Sequence, residues 1–408
     1  MSPSTTVTTT ADAVCAVLDA DRLSELLGQP VRAGRLRIKP GVSILVSLRE
    51  RATGLTAGWA RLLWPVSHSK ASQVERLAAG LGLERPPVTR GLGDLLLQSG
   101  PVGADPKLAE PMARATREGA LGAWDTQDVL RYNPSRRLVL RTGSAVLRLR
   151  ARAGGPADDV HRVLARRLPV PGILDSQAVA RCEGHVSLQQ WCGDTNLAEL
   201  SDDRTAEHAT SEVETESTAD ATRRVGALLA ELHSCMEALR PDLVDRLPHQ
   251  HPGPRDLAEV HARQLDALDP GLARRVRAVG GMLPTRLPGE PVLTHGDASP
   301  DQVLYERSSG RIWLTDFDRA RLAPAATDLG SYLAVAPASQ GHALLEGYAE
   351  HRPVPAAEQL GAAVARSRLA RLADPLRQAD PSWRERVGAE LAVIESIARS
   401  PEKEAAWA

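Results

Sequence analysis

Thr294-His295-Gly296-Asp297-Ala298-Ser299-Pro300-Asp301-Gln302-Val303-Leu304, followed closely by Leu314-Thr315-Asp316-Phe317-Asp318, decides how the chain is read. The apolar pair Val292-Leu293 leads into the first segment, and Ile312-Trp313-Leu314 leads into the second. Short apolar runs bounded by Gly, Pro and Asp read as strands. Each would hand a carboxylate to a loop, Asp297 from the first and Asp316 or Asp318 from the second, in the manner of a β-hairpin edge. A lone Asp-Phe-Asp is ordinarily a solvated turn, and a lone His-Gly-Asp carries little information. Both in this order, with Thr327-Asp328-Leu329 downstream, are hard to obtain by chance.

Phosphoryl transfer asks for such an arrangement. One carboxylate orients the attacking hydroxyl, while another carboxylate and an amide oxygen hold Mg²⁺ on the nucleotide phosphates. The run His-Gly-Asp-x-x-Pro-x-Gln-Val-Leu, then Asp-Phe-Asp, resembles the aminoglycoside phosphotransferase and choline kinase superfamily. The resemblance implies an α+β, bilobal, protein-kinase-like fold, with ATP and Mg²⁺ as cofactors. It places Asp297 as catalytic base, with Gln302, Asp316 and, as an auxiliary ligand, Asp318 at the metal. His295 and Asp328 become supports of the loop. Gln302 departs from the Asn that most relatives carry, yet a longer amide still offers an oxygen to a hard cation.

Composition narrows the partners. The 408 residues leave room for two or three domains, and the net charge of −1 argues against a broad nucleic-acid or membrane surface. Aromatic content of 3% disfavours a base-stacking platform. Cys15, Cys182, Cys192 and Cys235 lack metal or disulfide spacing and suit reduced thiols in a cytoplasm. No apolar run is long enough to span a bilayer, and the start lacks a signal-peptide pattern.

Along the chain, residues 1–10 read as disordered and 11–27 as helix, broken near Asp19 to Arg22. Residues 37–48 read as a turn entering a strand, with a second strand at 59–64 and a helix at 69–79. Strand and turn follow at 95–102, then a helix at 106–117. A similar order recurs at 131–140, 145–150 and 157–167, which suggests a duplicated hairpin-and-helix unit. Residues 1–125 are expected to form a cap domain, placed like that of maltokinases. Residues 126–193 would be the small lobe and 194–408 the large lobe.

In the small lobe, Asn133-Pro134-Ser135-Arg136-Arg137 would be the turn over the phosphates, with Ser135 a nucleotide contact. Arg148 would reach the α- and β-phosphates, although Arg150 lies on the same strand face. The helix acid that should pair with this cation would be Asp158 or Asp159. Gln190, Trp191 and Cys192, ahead of Gly193, resemble the hinge that meets the nucleobase. Residues 201–220 read as a solvated acidic insertion. His233 reads as structural, and His249 and His251 do not have metal-site spacing. Residues 356–398 are expected to be helical except at Asp374-Pro375 and Asp380-Pro381. Their arginines, Arg366, Arg368, Arg371 and Arg377, would suit a neutral or anionic acceptor better than a polycation.

The leading expectation is an ATP-dependent O-phosphotransferase acting on a small molecule: a sugar, an amino sugar or another natural product. The alternatives are a kinase for peptide hydroxyls in a natural-product pathway and a nucleotide-binding pseudokinase or scaffold.

Overall fold

The protein was analysed as a computed structural model that describes residues 9–202, 212–249 and 252–400. The expectations for residues 1–8 and for His251 lie outside the described residues. Helices Thr10–Leu18 and Ala20–Leu27 open the chain. Asp19 separates them: its backbone is extended and its carboxylate accepts from the Asp21 and Arg22 N–H groups.

Five strands follow: β1 (Val31–Lys39), β2 (Ser43–Glu50), β3 (Thr56–Leu63), β4 (Val88–Leu92) and β5 (Leu95–Gly100). They form one antiparallel sheet in the order β1-β2-β3-β5-β4, with helix Ser69–Gly80 between β3 and β4. Reading residues 37–48 as a turn entering one strand missed β1. In β1 the buried positions Leu36 and Ile38 alternate with Arg35 and Arg37. A strand whose polar positions are arginines carries little of the usual β-former signature.

The second sheet contains β6 (Val129–Asn133), β7 (Arg137–Thr142), β8 (Ala145–Arg150) and β9 (Val186–Gln190) in the order β6-β7-β8-β9. Helix Pro156–Leu164 follows β8, and Ile173 bridges to Gln189 on the far side of β9. Both sheets thus run a three-strand meander, a helix and an edge segment, then set the last strand beside the third. Trp59, Val102, Leu108 and Met112 from the first unit share a core with Leu138, Leu140, Leu147 and Leu149 from the second.

The remaining strands are short: β10 (Thr195–Asn196), β11 (Pro291–Thr294), β12 (Val303–Tyr305), β13 (Ile312–Leu314) and β14 (Arg321–Pro324). β10, β12 and β13 form one sheet, while β11 pairs with β14. The two acid-bearing strands are therefore not the two arms of one hairpin. β11 reaches past the second acidic loop to pair Thr294 with Arg321, and β13 pairs with β12. That crossing brings the two acidic loops together.

Helix Glu212–Ser234 begins inside the stretch read as an acidic insertion, of which residues 203–211 lie outside the described residues. It crosses helix Ala338–Ala349 closely. A Cβ on Gly226 would lie 2.0 Å from the Leu344 carbonyl oxygen, and one on Gly347 would lie 1.8 Å from that of Arg223. Side chains at either position would force the helices apart. Near the C-terminus lie helices Ala357–Arg371, Asp374–Arg377 and Trp383–Arg399, and Asp380-Pro381 falls between the last two as expected. Asp374-Pro375 instead opens the middle helix, because proline fits a helix's first turn, and the break falls at Leu372-Ala373. The middle one packs against β1.

Candidate active site

The His295-Gly296-Asp297 loop is fixed by a buried carboxylate. Asp328, in the first turn of helix Ala326–Leu333, accepts from the His295 N–H at 2.7 Å and the Gly296 N–H at 2.8 Å. His233 Nε2 meets the same carboxylate at 3.1 Å, and His233 Nδ1 meets the Tyr348 hydroxyl at 2.9 Å. Burial alone would raise the Asp328 pKa, but the His233 bond, the His233 and His295 charges and the Gly296 N–H together hold it below the ordinary carboxylate value. Gly296 has φ +78°, and a Cβ there would come within 2.1 Å of the Arg319 carbonyl oxygen. His295 Nε2 bonds the Thr315 carbonyl at 2.8 Å, and its ring lies 4.8 Å from that of Phe317. This histidine therefore ties one acidic loop to the other.

Replacing Asp328 with Asn should leave one buried donor without an acceptor. A loss of roughly 1–3 kcal/mol of stability is expected, read by denaturant unfolding. Unchanged unfolding would show that the loop is held by other groups.

Asp297 is half-buried. Its Oδ1 faces Arg371 Nη2 at 2.9 Å and Arg319 Nη1 at 3.3 Å. Arg371 is itself held, because the same nitrogen donates to Ser331 Oγ at 3.0 Å. Gln302 is buried, and its Nε2 donates to Asp301 Oδ2 at 2.8 Å, which leaves its amide oxygen to face elsewhere. The Gln302 carbonyl accepts from the Thr315 N–H at 3.0 Å, so it abuts the Asp316 loop.

Asp316 takes a left-handed backbone, φ +67°, at the turn after β13. Three arginines from the second sheet converge on it and on Asp318. Arg148 Nη2 donates to Asp316 Oδ1 at 2.6 Å. Arg137 straddles both acids, at 3.1 Å from Asp316 Oδ2 and 2.9 Å from Asp318 Oδ2. Arg150 bonds Asp158 at 2.7 Å and Asp318 at 3.1 Å. The register pairs Arg137 with Arg150 across β7 and β8, which places their guanidinium groups side by side. Burial opposes charge on Asp316, yet the Arg148 and Arg137 charges outweigh it and hold its pKa well below the carboxylate range. The helix acid Asp158 thus pairs with Arg150 and not with Arg148, while Asp159 pairs with Arg246.

The model of the APH phosphotransferase enzyme family matches residues 116–362, more than half of the chain. The chain belongs to that family. It is a phosphotransferase with an alcohol group as acceptor, and its fold is the family's bilobal α+β fold. The N-terminal five-stranded sheet lies outside the matched span. Among solved structures, a choline/ethanolamine kinase family protein from Mesorhizobium loti is 18% identical, with 73% of this chain and 97% of that one covered, at a TM-score of 0.47. Spectinomycin phosphotransferase in its AMP-bound complex is 14% identical, with 65% and 91% covered, at a TM-score of 0.44. An ethanolamine kinase of Plasmodium vivax is 11% identical, with 70% and 87% covered, at a TM-score of 0.47. No curated protein is significantly similar to the chain.

Several contacts in this phosphotransferase were not legible in its sequence. Asp105, fully buried in the N-terminal unit, accepts from the Lys107 and Leu108 N–H groups at 2.8 and 3.0 Å. Its other oxygen accepts from the Tyr132 hydroxyl at 2.7 Å and the Ser135 N–H at 2.8 Å. It thereby sets the 133–137 turn, where Ser135 holds φ +57°. The Ser135 N–H is committed to Asp105, so only its hydroxyl is left for a phosphate. Substituting Asp105 with Ala should loosen this turn and raise the KM for ATP several-fold while acceptor binding holds. An unchanged KM for ATP would separate the turn from nucleotide binding. The only sequence sign was an acid ahead of Pro106, which is too common to single out.

After β9, where the hinge is expected, the Gln190 N–H donates to the Gly172 carbonyl at 2.8 Å and the Trp191 N–H to that of Ser144 at 2.9 Å. The Trp191 ring stacks under the Arg141 guanidinium at 4.3 Å. Cys192 follows, ahead of Gly193, which has φ +68°. Of the C-terminal arginines, Arg366 caps the Pro284 and Thr285 carbonyls and Arg368 pairs with Glu390. Arg371 is at Asp297, and Arg377 pairs with Asp374.

Among the described residues no three carboxylate, imidazole or thiolate groups converge as a metal site. The donor set at the acidic loops is two carboxylates and one amide, all hard oxygen donors that fit Mg²⁺. Arg137, lying across Asp316 and Asp318, is the group that would have to give way. Among the described residues no helix is long and apolar enough to cross a membrane.

Proposed function

We propose that this chain transfers the γ-phosphoryl group of ATP to a hydroxyl of a small molecule, with Asp297 receiving the hydroxyl proton. The supporting observation is the joining of the two acidic loops: Asp328 fixes the backbone ahead of Asp297, and Gln302 and His295 both bond Thr315, next to Asp316. A carboxylate held this way orients the attacking oxygen without moving during the reaction. Mg²⁺, held by Gln302, Asp316 and Asp318, would offset charge on the phosphates when bound. Arg150, braced by Asp158, suits the strand cation that anchors the α- and β-phosphates. Arg148, tied to Asp316, suits a role in holding that acid. Cys192, whose two preceding neighbours already donate their N–H groups within the protein, offers an N–H to the nucleobase.

The acceptor falls among sugars, amino sugars and other natural products, peptide hydroxyls included. Arg371 and Arg319 beside Asp297 disfavour a polycation. The test is ATP consumption by the purified protein with Mg²⁺ and a panel of neutral, cationic and anionic alcohols, with mass spectrometry of the products. Absence of both turnover and nucleotide binding across the panel would end this reading. A kanamycin-like polycation should be a poor acceptor beside a neutral sugar. Efficient phosphorylation of it, weakening as salt rises, would reverse that ranking.

A further inference from the structure

Arginines from five separate segments come together near the two acidic loops, and two of them contact Asp297. In β1, Arg35 and Arg37 stand on the face opposite the buried Leu36 and Ile38. β1 packs against helix Asp374–Arg377, which carries Arg377. The 133–137 turn carries Arg136 next to Arg137, which lies on Asp316 and Asp318. Arg319 and Arg371 lie on Asp297 itself. Asp316 and Asp318 face Arg137, Asp297 faces Arg319 and Arg371, and Asp374 faces Arg377. Arg35, Arg37 and Arg136 make no ion pair and no side-chain hydrogen bond among the described residues.

With β1 packed against the helix of Arg377 and Arg136 next to Arg137, the charges of these arginines act on one another. Burial, and then the charges of Arg37, Arg377, Arg319 and Arg152, lower the proton affinity of Arg136. Burial, then Arg131, Arg377 and Arg137 act the same way on Arg35, with Asp374 opposing them. Guanidinium groups that outnumber the carboxylates beside them repel one another, and here Asp374, paired with Arg377, is the acid that opposes the repulsion on Arg35. Each offers a planar fork of donors that matches a carboxylate or phosphate.

We propose that Arg35, Arg37, Arg136 and Arg377 bind an anionic group, a carboxylate or a phosphate, carried by the acceptor whose hydroxyl is presented to Asp297. This rests on the assignment of Asp297 as the base. It gives the N-terminal sheet, outside the matched family span, a part in acceptor recognition. The nucleotide phosphates are left to Arg150, braced by Asp158, while Arg148 holds Asp316.

The test uses the full chain with Mg²⁺-ADP at saturation, titrated by calorimetry with inorganic phosphate and, separately, acetate. One anion should bind while ADP stays bound, and the stronger of the two identifies the group. The double variant Arg35→Gln, Arg37→Gln should weaken that binding by on the order of tenfold or more, with ADP affinity unchanged. Arg136→Gln, in a turn and without an ion pair among the described residues, should weaken it several-fold and guards against a folding defect in the double variant. Unchanged anion affinity in both variants would overturn the proposal. So would competition between the anion and ADP, since the anion would then occupy the nucleotide's own phosphate site. If ADP fails to bind, the kinase assignment falls by itself, and the same variants titrated without ADP still decide whether the arginines form an anion site.

Discussion

Asp297→Asn is expected to fold as the parent protein does and to lose turnover by roughly a hundred- to ten-thousand-fold, the range over which a positioned general base contributes. The amide keeps the shape of the side chain and can still accept from Arg371. It cannot take the hydroxyl proton in the same role. The cost in stability should be small, within about 1 kcal/mol, because Asp297 and Arg319 are partly exposed and Arg371 retains Ser331. The measurement is kcat at saturating ATP, alongside a thermal melt. A kcat near that of the parent protein would remove Asp297 from the mechanism.

Asp316→Asn should be damaging in a second way, through stability as well as turnover. Its partner Arg148 has a side chain only 7% exposed, and Asp316 itself is 15% exposed. Removing its charge leaves Arg148 only Asp318, at 3.9 Å, so a cost approaching the roughly 3–5 kcal/mol of a broken buried pair is expected. Asp318 is 36% exposed, and water screens its contacts with Arg137 and Arg150. Asp318→Asn should therefore cost within about 1 kcal/mol and weaken the Mg²⁺ dependence of turnover much less. Equal losses for the two variants, in unfolding and in a Mg²⁺ titration, would show that the ranking of the acids is wrong. The pH dependence has a definite sign. The folded-state pKa of Asp316 is depressed, so its contribution is present above the unfolded carboxylate value of about 4 and is lost as pH falls below it. The asparagine variant should lose that part of the acid-side decline.

How much was legible beforehand divides by range. The two acidic motifs and their order are local in sequence, and they sufficed for the family and the fold class. The helices at 69–80, 156–164 and in the C-terminal region follow from periodicity and proline, both local signals. The strand β1 was missed because arginines alternate with its buried Leu36 and Ile38, which leaves little of the β-branched and aromatic signature of a strand. Charge partners were beyond reach. Arg148 and Arg150 share a strand face, and only the packing of helix Pro156–Leu164 and of the Asp316 loop against that face gave Asp158 to one and Asp316 to the other.

The pairing of Arg371 with Asp297 joins residues 74 positions apart, and that of Asp105 with Ser135 crosses from the first unit to the second. Local sequence determined which groups with phosphoryl-transfer chemistry the chain carries and on what short elements. The tertiary structure decided which cation faces which carboxylate. Burial and ion pairing depend on what the rest of the chain brings alongside, and contacts of that range leave no periodic trace in the sequence.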